Sequence, residues 1–160
     1  MEKETFTNGS NFLVRTFRNG FTEYVDQPGL IQNKGATHSS HVNGQFSRLS
    51  GTEGNDWLTA PAQSTAKWII TAGEGDDYMQ GTDNAVNLML GQEGDDYMHG
   101  SDTFKDYLYG GTGNDKIFGY GGNDILKGED GDDEILGGDG NDKLFGGKGC
   151  LLYTSPSPRD

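Results

Sequence analysis

Strong apolar residues are scarce in this chain. Leu, Ile, Val and Phe fill 30 of 160 positions, or 19%, and so low a share with high net charge is the composition of a disordered segment. The count speaks against a conventional globular core. Basic residues are also few: 12 against 25 acids leave a net charge of −13. Nucleic acid and anionic membrane surfaces would repel such a chain, so neither is expected as a partner. No apolar run approaches the ~18 residues of a membrane span. Residues 1–11 (MEKETFTNGSN) lack the apolar core of a cleavable signal peptide. The single cysteine, Cys150, opens the stretch CLLYTSPSPRD (150–160), which shares its composition with nothing before it. That string is the translation of a common transposon-based sequencing adapter, so it reads as a non-native tail and is set aside from fold reasoning. Without it there is no thiol, disulfide or thiolate–metal chemistry to consider, and the unit that starts at Gly146 stops in mid-motif.

Glycine is what the chain has in excess. Of 27 glycines, 22 lie in residues 51–149, together with 20 acids and 6 bases. That segment nets −14 and the rest of the chain +1. Four consecutive nine-residue units run through it: GGTGNDKIF (110–118), GYGGNDILK (119–127), GEDGDDEIL (128–136) and GGDGNDKLF (137–145). Earlier copies are GTEGNDWLT (51–59), AGEGDDYMQ (72–80) and GQEGDDYMH (91–99). Between them GTDNAVNLML (81–90) and GSDTFKDYLY (100–109) keep the apolar end and lose the turn glycines. Starts at 51, 72, 91, 110, 128 and 146 give a larger period of two units, with small insertions early in the chain.

Each unit reads G-G-x-G-[ND]-D-x-U-x, with U a large aliphatic residue. Its last three residues alternate as a short strand does. The inward positions are Leu58, Ile70, Met79, Met89, Met98, Leu108, Ile117, Leu126, Ile135 and Leu144. A low-complexity linker has no reason to place an aliphatic side chain every nine residues. The first six residues must turn, and glycine permits the positive φ and close backbone approach that this needs. Two strands and two turns make one coil of a flattened parallel solenoid, stacked at about 4.8 Å per coil. Stacking gathers the sixth-position aspartates on two edges. The first edge carries Asp56, Asp77, Asp96, Asp115 and Asp133; the second carries Asp124 and Asp142, with Asp106 uncertain in register. Carboxylates stacked this closely repel unless a cation lies between them. Calcium suits carboxylate and carbonyl oxygens in loose geometry better than magnesium does. The turns offer no His or native Cys for zinc or copper.

The units resemble the RTX (repeats-in-toxin) nonapeptide of haemolysin-type calcium-binding proteins, over residues 51–149. The resemblance implies an all-β fold, a right-handed parallel β-roll stapled by several Ca2+ ions. It further implies that one turn supplies the carbonyls of its second and fourth residues plus its Asp. The next turn on that edge then supplies the carbonyls of its first and third residues plus its own Asp. Carried over, one site uses Gly111, Gly113 and Asp115 with Gly128, Asp130 and Asp133. A second uses Tyr120, Gly122 and Asp124 with Gly137, Asp139 and Asp142. Upstream, Gln92, Gly94 and Asp96 join Gly110, Thr112 and Asp115, and Gly73, Gly75 and Asp77 join Gly91, Glu93 and Asp96. Asp56 with Asp77 is the weaker pair, because a twelve-residue unit separates their turns. Units 81–90 and 100–109 lack the turn glycines, and no site is expected between them.

Residues 1–50 hold Phe6, Phe12, Phe17, Phe21 and Phe46 between turn signals, among them Asn19–Gly20. They read as a β-rich segment capping the roll, with a hairpin around Asn19–Gly20. Outward positions on the second-edge strands, Ile69, Leu88 and Tyr107, form an apolar ladder that this segment is expected to cover. His38, His41 and His99 read as surface residues.

Function follows from the resemblance: a calcium-binding module of a secreted bacterial protein, acting outside the cell as a monomer. Type I secretion with an uncleaved C-terminal signal is implied. The alternative is the ancillary module of a secreted protease, lipase or alginate epimerase, or an adhesin. No H-E-x-x-H, G-x-S-x-G or Cys/His pair supplies catalysis. A glycan or cell-surface partner is suggested only by the outward Trp57, Tyr78 and Tyr97.

Overall fold

The computed structural model describes residues 3–6, 12–16, 22–26, 37–40, 46–60, 64–149 and 151–153, with side chains over 47–60 and 64–149. From Phe46 the chain alternates between two sheets. The larger sheet takes β5 (Phe46–Ser50), β7 (Lys67–Glu74), β9 (Asn87–Glu93), β11 (Tyr107–Thr112), β13 (Ile125–Asp130) and β15 (Lys143–Lys148). The smaller takes β6 (Trp57–Thr59), β8 (Tyr78–Gln80), β10 (Tyr97–His99), β12 (Lys116–Phe118), β14 (Asp133–Leu136) and β16 (Leu151–Tyr153). Neighbours in this series are parallel, so each pair of strands with its two turns forms one coil of a parallel β-roll.

The aliphatic position locks the register. In the smaller sheet Leu58 pairs with Met79, Met79 with Met98, Met98 with Ile117 and Ile117 with Ile135. In the larger, Leu49, Ile70, Met89, Leu108, Leu126 and Leu144 align in turn. All the inward residues expected from the repeat are buried except Leu144 in the last full coil, which is half-buried. Early insertions are absorbed in the turns. Tyr78 still pairs with Trp57, 21 residues back, as Glu134 pairs with Lys116, 18 back.

The N-terminal strands extend the larger sheet edgewise. β1 (Lys3–Phe6), β2 (Phe12–Thr16), β3 (Thr22–Asp26) and β4 (Thr37–Ser40) form an antiparallel meander that ends on β5. The β2–β3 pair closes at Thr16 and Thr22, so its connection contains Asn19–Gly20, as the turn signal suggests. β5 belongs to the roll itself, because it runs parallel to β7 and buries Ser47 and Leu49. The expected cover over Ile69, Leu88 and Tyr107 is therefore not what these strands form. An open edge on β7 would leave a row of backbone N–H and C=O groups unpaired, and β5 pairs them. The outer ladder is meanwhile partly shaded: Lys105 lies 5.0 Å from the Tyr107 ring centre and Lys127 lies 4.9 Å from that of Tyr109.

Candidate metal centre

The sixth-position residues form two buried columns. On the first edge Asp56, Asp77, Asp96, Asp115 and Asp133 are all buried; on the second, Asn87, Asp106 and Asp124 are buried and Asp142 is half-buried. Asp106 stands in register with Asp124: its N–H donates to the Asp124 carboxylate at 2.8 Å. The same link recurs throughout. Each backbone N–H donates to Oδ1 of the next coil's aspartate: Asp56 to Asp77 (2.6 Å), Asp77 to Asp96 (2.9 Å), Asp96 to Asp115 (2.9 Å), Asp115 to Asp133 (3.1 Å) and Asp124 to Asp142 (2.9 Å).

That ladder occupies one carboxylate oxygen. The other, Oδ2, is buried and has no hydrogen-bond partner in Asp77, Asp96, Asp115, Asp124 and Asp133. An ionised oxygen left so is costly, and the titration behaviour reflects it. Burial first, then neighbouring carboxylates, raise Asp77 and Asp115 from 3.8 to about 6 and Asp96 and Asp124 to about 7, against the lowering effect of the accepted N–H. Asp133 is raised for the same leading reason.

The turns bring backbone oxygens toward these orphans. A Cβ built on Gly110 would fall 2.0 Å from Asp115 Oδ2 and 2.8 Å from the Gly128 carbonyl oxygen, so both border the space under a bare glycine. Gly91 stands likewise to Asp96 and Gly110, Gly119 to Asp124 and Gly137, and Gly128 to Asp133 and Gly146. At the turn of Asp77 the first position is Ala72, a buried residue with a methyl where those other turns have glycine. Second- and fourth-position carbonyls aim at the next coil. A Cβ on Gly111 would meet the Gln92 oxygen at 2.2 Å, and one on Gly113 the Gly94 oxygen at 2.1 Å. Both positions take positive φ, even where Gln92 (88°), Tyr120 (68°) or Glu129 (82°) stands in place of glycine. Third-position carbonyls of Glu93, Thr112, Asp130 and Asp139 accept the fourth-position N–H of the preceding coil at 2.8–3.0 Å.

The residues expected to act together therefore lie in facing turns: Gly73, Gly75 and Asp77 against Gly91, Glu93 and Asp96, and so on through Asp133 on the first edge. Tyr120, Gly122 and Asp124 face Gly137, Asp139 and Asp142 on the second. Among the described residues no three His, Cys, Asp or Glu side chains converge on one point. The donor set is accordingly backbone carbonyls with carboxylates, an all-oxygen cradle suited to a hard cation of flexible coordination.

A scan of family models decides the family. The RTX calcium-binding nonapeptide repeat matches in four copies, over residues 46–60, 71–103, 102–134 and 118–149. The chain belongs to the RTX calcium-binding repeat family. No curated protein matches it. Its orphaned carboxylate oxygens stand in the turns of a calcium-binding repeat, and calcium is the ion this β-roll module takes.

Several features escaped the sequence reading. Fifth-position Asn and Asp form a second, exposed ladder: Asp76 N–H donates to Asn55, Asp95 to Asp76, Asn114 to Asp95 and Asp132 to Asn114, all through Oδ1 at 2.7–3.1 Å. The [ND] alternative in the motif was its signal. The turn at 146–149 faces Asp133 through Gly146 and Lys148, although its sixth position is Leu151, which supplies no carboxylate. His99 is not a plain surface residue: it is half-buried, and its ring stacks on Phe118 and Tyr120 and touches the Tyr120 hydroxyl through Nδ1. Burial lowers its pKa. His38 and His41 have no described side chains.

Proposed function

We propose that the chain is a calcium-driven folding module that takes its ions at discrete sites between successive turns of one edge. The orphaned Oδ2 atoms of Asp96, Asp115, Asp124 and Asp133 carry this reading, because each is buried next to a carbonyl of the following coil. The Asp77–Asp96 pair has the same donors with Ala72 in place of the first-position glycine. Calcium supplies positive charge and spare coordination positions there; the residues of the chain supply shape. The first-position glycines leave room, and the positive-φ positions turn carbonyls toward the neighbouring coil. The sixth-position N–H ladder holds each carboxylate in a fixed orientation.

Ions that bind only the coiled form drive coiling by mass action. A module of this kind stays open where calcium is scarce and closes where it is about millimolar, the range of extracellular calcium modules. That supports action outside a bacterial cell after export as an unfolded chain. Circular dichroism tests the reading. The chain in chelator is expected to be largely disordered and to gain β signal with millimolar calcium but not with equal magnesium. A cooperative thermal transition retained in chelator would overturn it.

A further inference from the structure

Two turns close their sixth-position carboxylate with a side chain of their own. In turn 51–56 the Thr52 N–H and hydroxyl donate to Asp56 Oδ2 at 2.5 and 2.9 Å. In turn 100–106 the Ser101 N–H and hydroxyl donate to Asp106 Oδ2 at 2.5 and 2.8 Å. Both are second-position residues. Seven other second positions, Gly73, Gln92, Gly111, Tyr120, Glu129, Gly138 and Gly147, take positive φ, between 68° and 126°, and none of them is Ser or Thr, whereas Thr82, in the turn that ends on Asn87, lacks positive φ as Thr52 and Ser101 do. Thr52 and Ser101 are not at positive φ, a region that the β-branched threonine avoids strongly. With ordinary φ their N–H turns onto the carboxylate and the hydroxyl joins it, so the oxygen that is orphaned elsewhere has two donors here.

We propose that the Thr52 and Ser101 hydroxyls stand where the other turns take calcium, and that Thr52 is the residue that keeps turn 51–56 from binding an ion. The inference rests on the calcium reading of the other turns. It separates the two capped turns sharply. Turn 100–106 has one residue more than the six of the motif, so removing Ser101 would not restore it. Turn 51–56 has six residues, with Gly51, Gly54, Asn55 and Asp56 all at motif positions. Its surroundings match those of the calcium-type turns on the side of the next coil, while Asp56 Oδ1 is buried without the N–H that Oδ1 accepts in them. A Cβ on Gly51 would meet Asp56 Oδ2 at 2.6 Å and the Ala72 carbonyl oxygen at 2.2 Å. The Asp56 N–H donates to Asp77 Oδ1 at 2.6 Å, as in every other rung. The turn differs at Thr52 and at the residue its hydroxyl holds: the Gly54 N–H donates to the Thr52 hydroxyl at 3.3 Å, and Gly54 lacks the positive φ of the fourth positions in the calcium-type turns.

The test counts calcium ions on the folded chain by native mass spectrometry, with equilibrium dialysis as the check. Thr52→Gly is expected to bind one ion more than the unsubstituted chain, and Thr52→Ser, which keeps the hydroxyl, the same number. Should Thr52→Gly fail to fold, Thr52→Gln serves, because Gln92 takes positive φ at the equivalent position; it too is expected to add one ion. An unchanged count in the glycine and glutamine variants overturns the proposal while leaving the calcium reading intact. No calcium on the unsubstituted chain overturns the calcium reading itself, and this inference with it.

Discussion

Replacing Asp115 by Asn should stabilise the roll without calcium and weaken it with calcium. Asp115 is 1% exposed. Its Oδ1 accepts the Asp96 N–H, and asparagine keeps that acceptor in the same place. What changes is Oδ2, which has no partner and borders the Gly128 carbonyl. Burial, chiefly, raises this carboxyl from 3.8 to about 6. At about 1.4 kcal/mol for each pH unit, discounted for water reaching the turn, the ionised group costs the calcium-free fold about 1–2 kcal/mol. A folded-state pKa above the unfolded one means that the folded form holds the proton more tightly. Stability without calcium is therefore greatest below about pH 4 and is lost as pH rises through about 6. The asparagine chain escapes that loss. With calcium the sign reverses, because Asp115 would be shared by the sites of Asp96 and Asp133, and a lost carboxylate at two sites should raise the calcium midpoint about tenfold or more. Thermal melts in chelator, with an osmolyte added to populate the roll, and calcium titrations at pH 8 read both effects. The calcium-free advantage should vanish at pH 4. Equal destabilisation with and without calcium would mean that the residue acts through packing, and the reasoning would fail.

Gly113 takes φ 126° and a Cβ there would meet the Gly94 oxygen at 2.1 Å, so Gly113→Ala should cost about 2 kcal/mol or more in calcium. Gly54→Ala, with nothing within 4 Å of its Cβ, should cost about 1 kcal/mol or less in the same melts. Ile117 is fully buried between Met98 and Ile135, so Ile117→Ala should lose about 2–5 kcal/mol in urea titrations of the calcium-loaded chain. A loss under about 1 kcal/mol would mean that the roll collapses readily around the missing side chain.

The roll was legible because one aliphatic residue recurs in phase with the turn glycines, and each repeat is a unit that cannot bury its face alone. Leu58 through Leu144 could be assigned inward without coordinates, and the facing turns followed from the period of two units. What the repeat could not convey lies where the chain departs from it. Thr52 and Ser101 occupy motif positions with side chains whose effect depends on φ, which composition does not report. Ala72 places a methyl where the pattern has glycine, and only stacking shows that the space under that position borders a carboxylate. The N-terminal meander followed no repeat. Its strands could be suspected from turn signals, but whether they would lie on a face or along an edge turned on the outer backbone edge of β5, which β4 pairs, rather than on any apolar count.

The two aspartate-bearing ladders argue for an ion from within one chain. At the fifth position Asn and Asp serve interchangeably: Asn55, Asp76, Asp95 and Asn114 each accept one N–H from the next coil, in solvent. At the sixth position the link runs the other way, from an N–H to the Oδ1 of the following coil, and a neutral amide oxygen would accept it equally well. Yet every turn with positive φ at its second position and a described sixth side chain carries Asp there: Asp77, Asp96, Asp115, Asp124, Asp133 and Asp142. Where the sixth residue is Asn87, the turn lacks that φ and the amide is satisfied by Thr82, Ala85 and Asp106. Hydrogen bonding therefore does not account for a charge held in a buried column, where it is costly unless compensated. The second oxygen does. It is the atom that asparagine would replace, it faces the space under the first-position glycine, and a cation there turns the cost of burying it into the reason for keeping it.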